Sequence, residues 1–497
     1  MEISLDSFKS EKSPLLNPQN RPSSFRLLFR DINSSSKLLI FFGSCLLFTI
    51  IITTIVWGIL ILLSRPLSSP VYPEQIHLSL GKKPNEMLVT WVTLNPTDRP
   101  IARYGLYGEI SMQSAEGLTT KFVINESDYR EIFIHRVIMD QLEANRQYVY
   151  QVGSESGSWS DKFWFNSMIH GSDWSPRLAI YGDMGDQDAR ILDKVYEKSQ
   201  EHFFDAILHV GDLAYDLDDD CGRKGDRFMN LIQPIAAHVP YMVCPGNHEM
   251  ANNFSHYNNR FSMIDPHSGN IANLFYSFNM GPIHVVSIST EAYYSIKTNG
   301  FDRIAPQYNW LVKDLDEATR PENRAQRPWI ITMGHRPMYC SGDKPHEDCL
   351  AVDCRLRKGF PSLGAPGIED LFHQYDVDIS FWGHEHLYER SWPLYDYKVH
   401  NGSSSSSSGI SEHLYINPEA TVHIISGAAG GPEGLNEFSA SPGEWSAKRI
   451  SKYGFVQLTG ANKTHLHIEY ISIDEHNQSA QVADDFWIMK DWPRKRK

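Results

Sequence analysis

Arg177-Leu178-Ala179-Ile180-Tyr181 runs into Gly182-Asp183-Met184-Gly185, and Asp205-Ala206-Ile207-Leu208-His209-Val210 runs into Gly211-Asp212-Leu213-Ala214-Tyr215. In each case a short apolar run of strand type ends in a glycine followed by an aspartate. The same order recurs where Val239-Pro240-Tyr241-Met242-Val243-Cys244 leads to Gly246-Asn247-His248-Glu249, where Trp329-Ile330-Ile331-Thr332-Met333 leads to Gly334-His335, and where Ile379-Ser380-Phe381-Trp382 leads to Gly383-His384-Glu385-His386. Short apolar strands separated by helical or loop-rich stretches predict an α/β layered domain from Arg177 onward. In open α/β sheets the site forms beyond the carboxyl ends of the strands, so residues far apart in sequence converge there. The glycines allow the sharp turn and the close backbone approach that such a site needs.

Singly these motifs mean little, because Gly-Asp is a common turn and His-x-His can simply lie on a strand. In this order, five strand ends present Asp, Asn, His and Tyr. Two metals about 3.5–4 Å apart need a bridging carboxylate, further oxygen and nitrogen ligands, and open positions for water and phosphate. Asp212 is the natural bridge, Asp183 a second hard anion and Asn247 a neutral oxygen, while the histidines offer imidazole nitrogens suited to iron or zinc. A tyrosinate at Tyr215 adds a hard anionic oxygen that favours trivalent iron.

The ordered set resembles the purple acid phosphatases within the calcineurin-like metallophosphoesterases, and the similarity covers roughly residues 72 to 475. The phrases Gly334-His335-Arg336-Pro337-Met338-Tyr339-Cys340 and Gly383-His384-Glu385-His386-Leu387-Tyr388-Glu389-Arg390 are also family-like. The resemblance implies a layered αββα sandwich preceded by a fibronectin-III-like β-sandwich. It implies an Fe(III) site of Asp183, Asp212, Tyr215 and His386, and a divalent site of Asp212, Asn247, His335 and His384 that takes zinc, iron or manganese. His248 resembles the family histidine that contacts the phosphate and protonates the leaving alcohol, and His346 lies where some relatives carry another substrate-facing histidine. The reaction expected is acid hydrolysis of phosphate monoesters by direct in-line attack of a metal-bound hydroxide, with no phosphoenzyme. The alternative is a phosphodiesterase or nucleotide-hydrolysing enzyme on the same fold; Tyr215 discriminates, because many diesterase branches carry histidine there.

Outside the motifs, the chain bounds its own class. Its 497 residues call for more than one core, and 41% hydrophobic with 12% aromatic residues supports packed domains rather than disorder. The net charge of -14 argues against a nucleic-acid partner, since binders of polyphosphate chains carry a basic excess. From residue 73 to 170, period-two runs such as Met87-Leu88-Val89-Thr90-Trp91-Val92 punctuated by turn residues predict a small antiparallel sandwich, followed by the catalytic domain at 175–475 and a tail at 476–497. Ahead of the sandwich, residues 38–64 carry no charge and are long enough for a spanning helix, with a cytosolic tail at 1–37 and a linker at 65–72. Arg21, Arg26, Arg30 and Lys37 precede the run, which by the positive-inside bias makes a type II membrane protein of the endosome, lysosome or cell surface. Glu11-Lys12-Ser13-Pro14-Leu15-Leu16 resembles the dileucine signal read by sorting adaptors, and Asn125, Asn253, Asn401, Asn462 and Asn477 begin glycosylation tripeptides. Cys340, Cys349 and Cys354 are spaced for a local bridge, and Cys244 reads as a buried thiol.

Overall fold

The computed structural model describes residues 46–54, 69–125, 130–296, 300–343, 354–400, 410–474 and 479–491. The chain divides into two units, Met1–Ser68 and Ser69–Lys497. Of the first, residues 46–54 are described, as a helix. The expectation of a membrane-spanning helix over 38–64, and with it of a single-pass type II membrane protein, is corrected here. Among the described residues no helix is long and apolar enough to cross a membrane. The dileucine signal lies outside the described residues.

The second unit begins with a β domain of two four-stranded antiparallel sheets. One runs Glu74–Leu80, Met87–Thr93, Arg130–Met139, Leu118–Asn125, and the other Gln113–Glu116, Ile101–Leu106, Gln147–Gly153, Phe163–Asn166. Alternate residues point inward, as the period of a strand requires. Ile76, Leu78 and Leu80 meet Val89, Trp91, Tyr148, Tyr150 and Val152 in one buried cluster.

The remainder is an α/β layered fold with two sheets. In the first, the strands Arg177–Tyr181, Ala206–Val210 and Tyr241–Cys244 run parallel, and Gly454–Asn462, His465–Ile473 and Ala480–Met489 extend it antiparallel. In the second, Ile283–Ser287, Trp329–Met333, Ile379–Trp382 and Val422–Ser426 run parallel. Both faces of this second sheet are apolar, as a sheet covered on two sides must be. Val285, Ile331, Phe381 and Ile424 share a core with Leu178 and Ile180 of the first sheet, while Val286, Ile330, Trp382 and Ile425 pack with helical residues Leu311, Leu315, Leu371 and Phe372. The helix Ile304–Thr319 buries Ile304, Gln307, Leu311, Asp314, Leu315 and Ala318, spaced as one face of a 3.6-residue helix. Each of its fully buried leucines contributes about 1.5–3 kcal/mol. Arg320 adopts an extended ψ ahead of Pro321, which ends the helix and starts the next at its first position.

Polar contacts add to the apolar core that the β domain shares with the rest. The backbone N–H groups of Gln75 and Ile76 donate to Asn230 Oδ1 and Gln233 Oε1 on the helix Arg223–Ala236 (3.2 and 2.8 Å), which caps an otherwise open strand edge. Cys340 is disulfide-bonded, whereas Cys354 and Cys244 are free, buried thiols. A local bridge among Cys340, Cys349 and Cys354 would not use Cys354.

Candidate metal centre

The carboxyl ends of the parallel strands in both sheets bring their loops to one place. Asp183 follows Arg177–Tyr181, Asp212 and Tyr215 follow Ala206–Val210, Asn247 and His248 follow Tyr241–Cys244, His335 follows Trp329–Met333, and His384 and His386 follow Ile379–Trp382. These turns are forced. Asp183, Asp212, Tyr215 and His384 have φ of +60°, +48°, +56° and +71°, a backbone region that non-glycine residues avoid. Such strain persists only where surrounding structure over-determines it, and Glu249 is one such determinant. Its buried carboxylate accepts from the backbone N–H groups of Asp212 (2.9 Å), Leu213 (2.9 Å) and Gly246 (2.8 Å), tying two of the loops together.

Two groups of donor atoms result. In one, His335 Nε2 stands 3.1 Å from Asp212 Oδ2, 3.1 Å from Asn247 Oδ1 and 3.1 Å from His384 Nδ1. Ligand atoms of Asp212, His335 and His384 all lie within 4.8 Å of one another, and all three residues are buried. In the other, Tyr215 Oη is 2.5 Å from His386 Nε2, which is 3.6 Å from Asp183 Oδ1. The groups adjoin, since the His384 backbone N–H donates to both oxygens of Asp183 (3.1 and 2.9 Å).

The hydrogen-bond valence of these atoms fits two cations. His335 Nδ1 faces the Val210 carbonyl (3.0 Å) and His386 Nδ1 faces the Gly434 carbonyl (2.7 Å), so each ring spends its N–H on the backbone and turns an Nε2 lone pair inward. Those lone pairs meet carboxylate, amide and phenol oxygens. Acceptors facing acceptors in a buried site require protons or metal ions between them. Burial opposes charging of His335, but the Asp212 carboxylate, with Asp183 and Glu291, outweighs it and holds the pKa at about 10. A positive charge is thus favoured where the Nε2 points. Burial raises the Tyr215 phenol far above its ordinary value, and the Asp183 and Asp212 carboxylates add to the effect, so a cation is what would let it ionise there. Glu249 is pushed up to about 7, first by burial and then by Asp212.

His248 stands beside the donor groups with its backbone N–H on Asp212 Oδ1 (3.0 Å) and its ring tilted at 45° against Tyr215, centroids 4.5 Å apart. Its Nδ1 bonds Asp216 Oδ1 (2.9 Å), leaving Nε2 directed toward Glu433 at 4.0 Å. Asp216, Glu249, Glu433 and Asn436, whose Oδ1 accepts the His386 N–H, were not expected from sequence. Asp216 and Glu249 directly follow motif residues, which was the signal available; Glu433 and Asn436 come from a loop with no motif character. His346, Asn401 and Asn477 lie outside the described residues. Asn125 ends the strand Leu118–Asn125, while Asn253 and Asn462 are exposed.

Three family models match the chain: calcineurin-like phosphoesterase over residues 176–388, the N-terminal domain of purple acid phosphatase over 73–167, and the iron/zinc purple acid phosphatase-like C-terminal protein over 420–485. The chain is 47% identical over 422 residues to acid phosphatase type 7 of Danio rerio, covering 84% of this chain and 91% of that protein. It is 28% identical over 442 residues to Fe(3+)-Zn(2+) purple acid phosphatase 12 of Arabidopsis thaliana, covering 86% and 87% respectively. Its fold matches that of a purple acid phosphatase isolated from yellow lupin (Lupinus luteus) seeds with a TM-score of 0.66 at 24% identity, over 85% of this chain and 75% of that one.

Proposed function

Because the chain belongs to the purple acid phosphatase family of calcineurin-like phosphoesterases, we propose that its two groups of strand-end donors hold a binuclear centre of iron and a divalent metal. The protein is a metal-dependent acid phosphatase that hydrolyses phosphate monoesters. In the proposed assignment Asp183, Asp212, Tyr215 and His386 take Fe(III), and Asp212, Asn247, His335 and His384 take the divalent ion, with zinc, iron and manganese all suited to that donor set. When bound, two such cations supply an activated water at mildly acidic pH and neutralise charge on the phosphoryl oxygens.

The chain's own residues do the rest. Asp212 turns Oδ2 toward His335 and accepts the His248 N–H at Oδ1, which keeps both oxygens in fixed directions for the bridging role proposed for it. Asp216 fixes the His248 ring through Nδ1, so that Nε2 is the nitrogen free to protonate a leaving alcohol. Burial opposes charging of His248, and the Asp212 carboxylate with Asp216 outweighs it and raises its pKa. Exposure of Asn253 and Asn462 supports them as glycan acceptors.

The observation that carries this reading is the pair of inward-facing imidazole lone pairs of His335 and His386, each fixed by a backbone carbonyl and each meeting a carboxylate oxygen. Metal analysis and a visible spectrum of the purified full-length protein test it. Two metals per chain including iron, with a tyrosinate-to-Fe(III) band lost in Tyr215→Phe, is the expected result. Two metals without that band would move the assignment to another metallophosphoesterase type, and a protein that binds no metal would end it.

A further inference from the structure

Arg336 directly follows His335, yet its side chain is built into a different set of contacts. Its backbone N–H donates to Thr290 Oγ1 (3.0 Å), and its Nε donates to both oxygens of Glu291 (2.9 and 3.1 Å), a carboxylate with 0% exposure. The Tyr294 ring lies 4.6 Å from the guanidinium carbon. These contacts hold the Nε side of the fork. The other side reaches the metal centre, with NH1 2.8 Å from His384 Nε2.

A count of protons along this row shows what happens when a metal enters. His335 Nδ1 faces the Val210 carbonyl, His335 Nε2 faces His384 Nδ1 at 3.1 Å, and His384 Nε2 faces Arg336 NH1 at 2.8 Å. A cation held by His335 and His384 would take the facing lone pairs of His335 Nε2 and His384 Nδ1, and a neutral His384 would then carry its proton on Nε2. An Nε2–H and a guanidinium N–H facing each other at 2.8 Å are two donors with no acceptor. The NH1 side of Arg336 must leave His384, while Nε stays on Glu291.

We propose that Arg336 is a substrate-binding residue whose NH1 side passes from His384 to a phosphoryl oxygen once the metal centre is loaded; this rests on the metallophosphatase reading above. A guanidinium beside the divalent-site ligands needs a new anionic oxygen acceptor within its short reach, and a phosphate monoester bound at that centre presents one. The planar fork matches phosphate geometry, and Glu291 and Tyr294 pre-organise it so that little side-chain freedom is lost on binding. Because His335 and Arg336 leave the same strand end, metal loading and phosphate recognition are coupled through one turn. Arg336 is a binding residue for both ground and transition states, so its removal acts on KM more than on kcat.

The test uses the full-length holoenzyme with inorganic phosphate as a competitive inhibitor. Arg336→Lys keeps a charge opposite Glu291 but loses the fork, and the double variant Arg336→Gln/Glu291→Gln removes the pair without leaving a buried carboxylate alone. In both, the phosphate inhibition constant and the KM for a phosphate monoester should rise about 10- to 100-fold, the size of one charge-assisted hydrogen bond. Metal content and the tyrosinate band should match the wild type. An unchanged inhibition constant in fully loaded variants overturns the proposal, as does loss of metal from both variants, which would make Arg336 a support for His384 alone. If the wild type itself loads no metal, or loads metal and is not inhibited by phosphate, the metallophosphatase reading falls and takes this proposal with it.

Discussion

Gly211 has a φ of +86°, and a Cβ built on it would stand 2.5 Å from His335 Nδ1 and 2.7 Å from Cγ of the same ring. The imidazole therefore rests on bare backbone, with its Nδ1–H directed to the carbonyl of Val210 next door. Gly211→Ala should displace His335, lower metal content below two per chain, and cost about 1–3 kcal/mol in stability from the left-handed backbone alone. Metal analysis together with calorimetry checks both effects, and a fully loaded Gly211→Ala protein would show that the ring tolerates the shift. The glycine was legible in the sequence as part of a Gly-Asp turn at a strand end, but its contact with His335 was not. A residue-scale motif reports which groups are present. It does not report which ring leans on which backbone, because those two residues are brought together only when the sheets pack.

At the scale of elements, the helix Ile304–Thr319 carries one carboxylate on its buried face. Asp314 accepts from His284 Nε2 (2.8 Å), His267 Nε2 (3.2 Å) and Ser277 Oγ (2.5 Å), which ties the helix to the strands Tyr276–Met280 and Ile283–Ser287 and to the preceding loop. Burial would raise the Asp314 pKa, but His284, His267 and Ser277 more than offset it, so the carboxylate stays ionised well below its usual range. The hydrogen bond to Asp314 raises the His267 pKa, with smaller contributions from Asp265 and Glu317, against the burial that lowers it. A histidine whose folded pKa is raised contributes stability fully below its unfolded pKa of about 6.5 and loses it as pH climbs through the folded value. Asp314, being depressed, contributes above about pH 4 and loses its share only as pH falls through its folded value. The pairing is therefore strongest in mild acid. His267→Gln should lower Tm by about 1–3 °C at pH 5.5 and by less at pH 8.5; an equal loss at both would show that packing rather than charge is what the ring supplies. None of this network was expected from sequence, because an aspartate on an apolar helix face carries no mark of the partners that two other elements bring to it.

For the whole molecule, the junction between the β domain and the α/β fold turns on Asp226. Its carboxylate accepts from Arg260 NH1 (2.8 Å) and Gln75 Nε2 (3.1 Å) and pairs with Arg130 of the β domain. The Arg260 side chain is 0% exposed, so removing the carboxylate leaves a buried guanidinium without its counter-charge. Asp226→Ala should cost about 3–5 kcal/mol, read as a lowered Tm in scanning calorimetry, and a shift of under about 1 kcal/mol would mean that the backbone carbonyl of Gly222, 2.8 Å from NH2, suffices. The same segment, Arg223–Ala236, caps the strand edge at Gln75 and Ile76, so the β domain is held by side chains rather than by a shared sheet. For the apolar run at 38–64, no helix among the described residues is long and apolar enough to cross a membrane. Fold class, strand order within each motif and the donor types at the strand ends are local properties, since a strand needs only period-two apolar residues and a turn needs only its glycine, and these were readable from the chain itself. Convergence of the donors, the direction of each imidazole lone pair, the Asp216 and Glu249 supports and the reach of Arg336 toward His384 arose from packing the two sheets face to face, because a hydrogen bond between residues about two hundred positions apart exists only once tertiary contacts set its geometry.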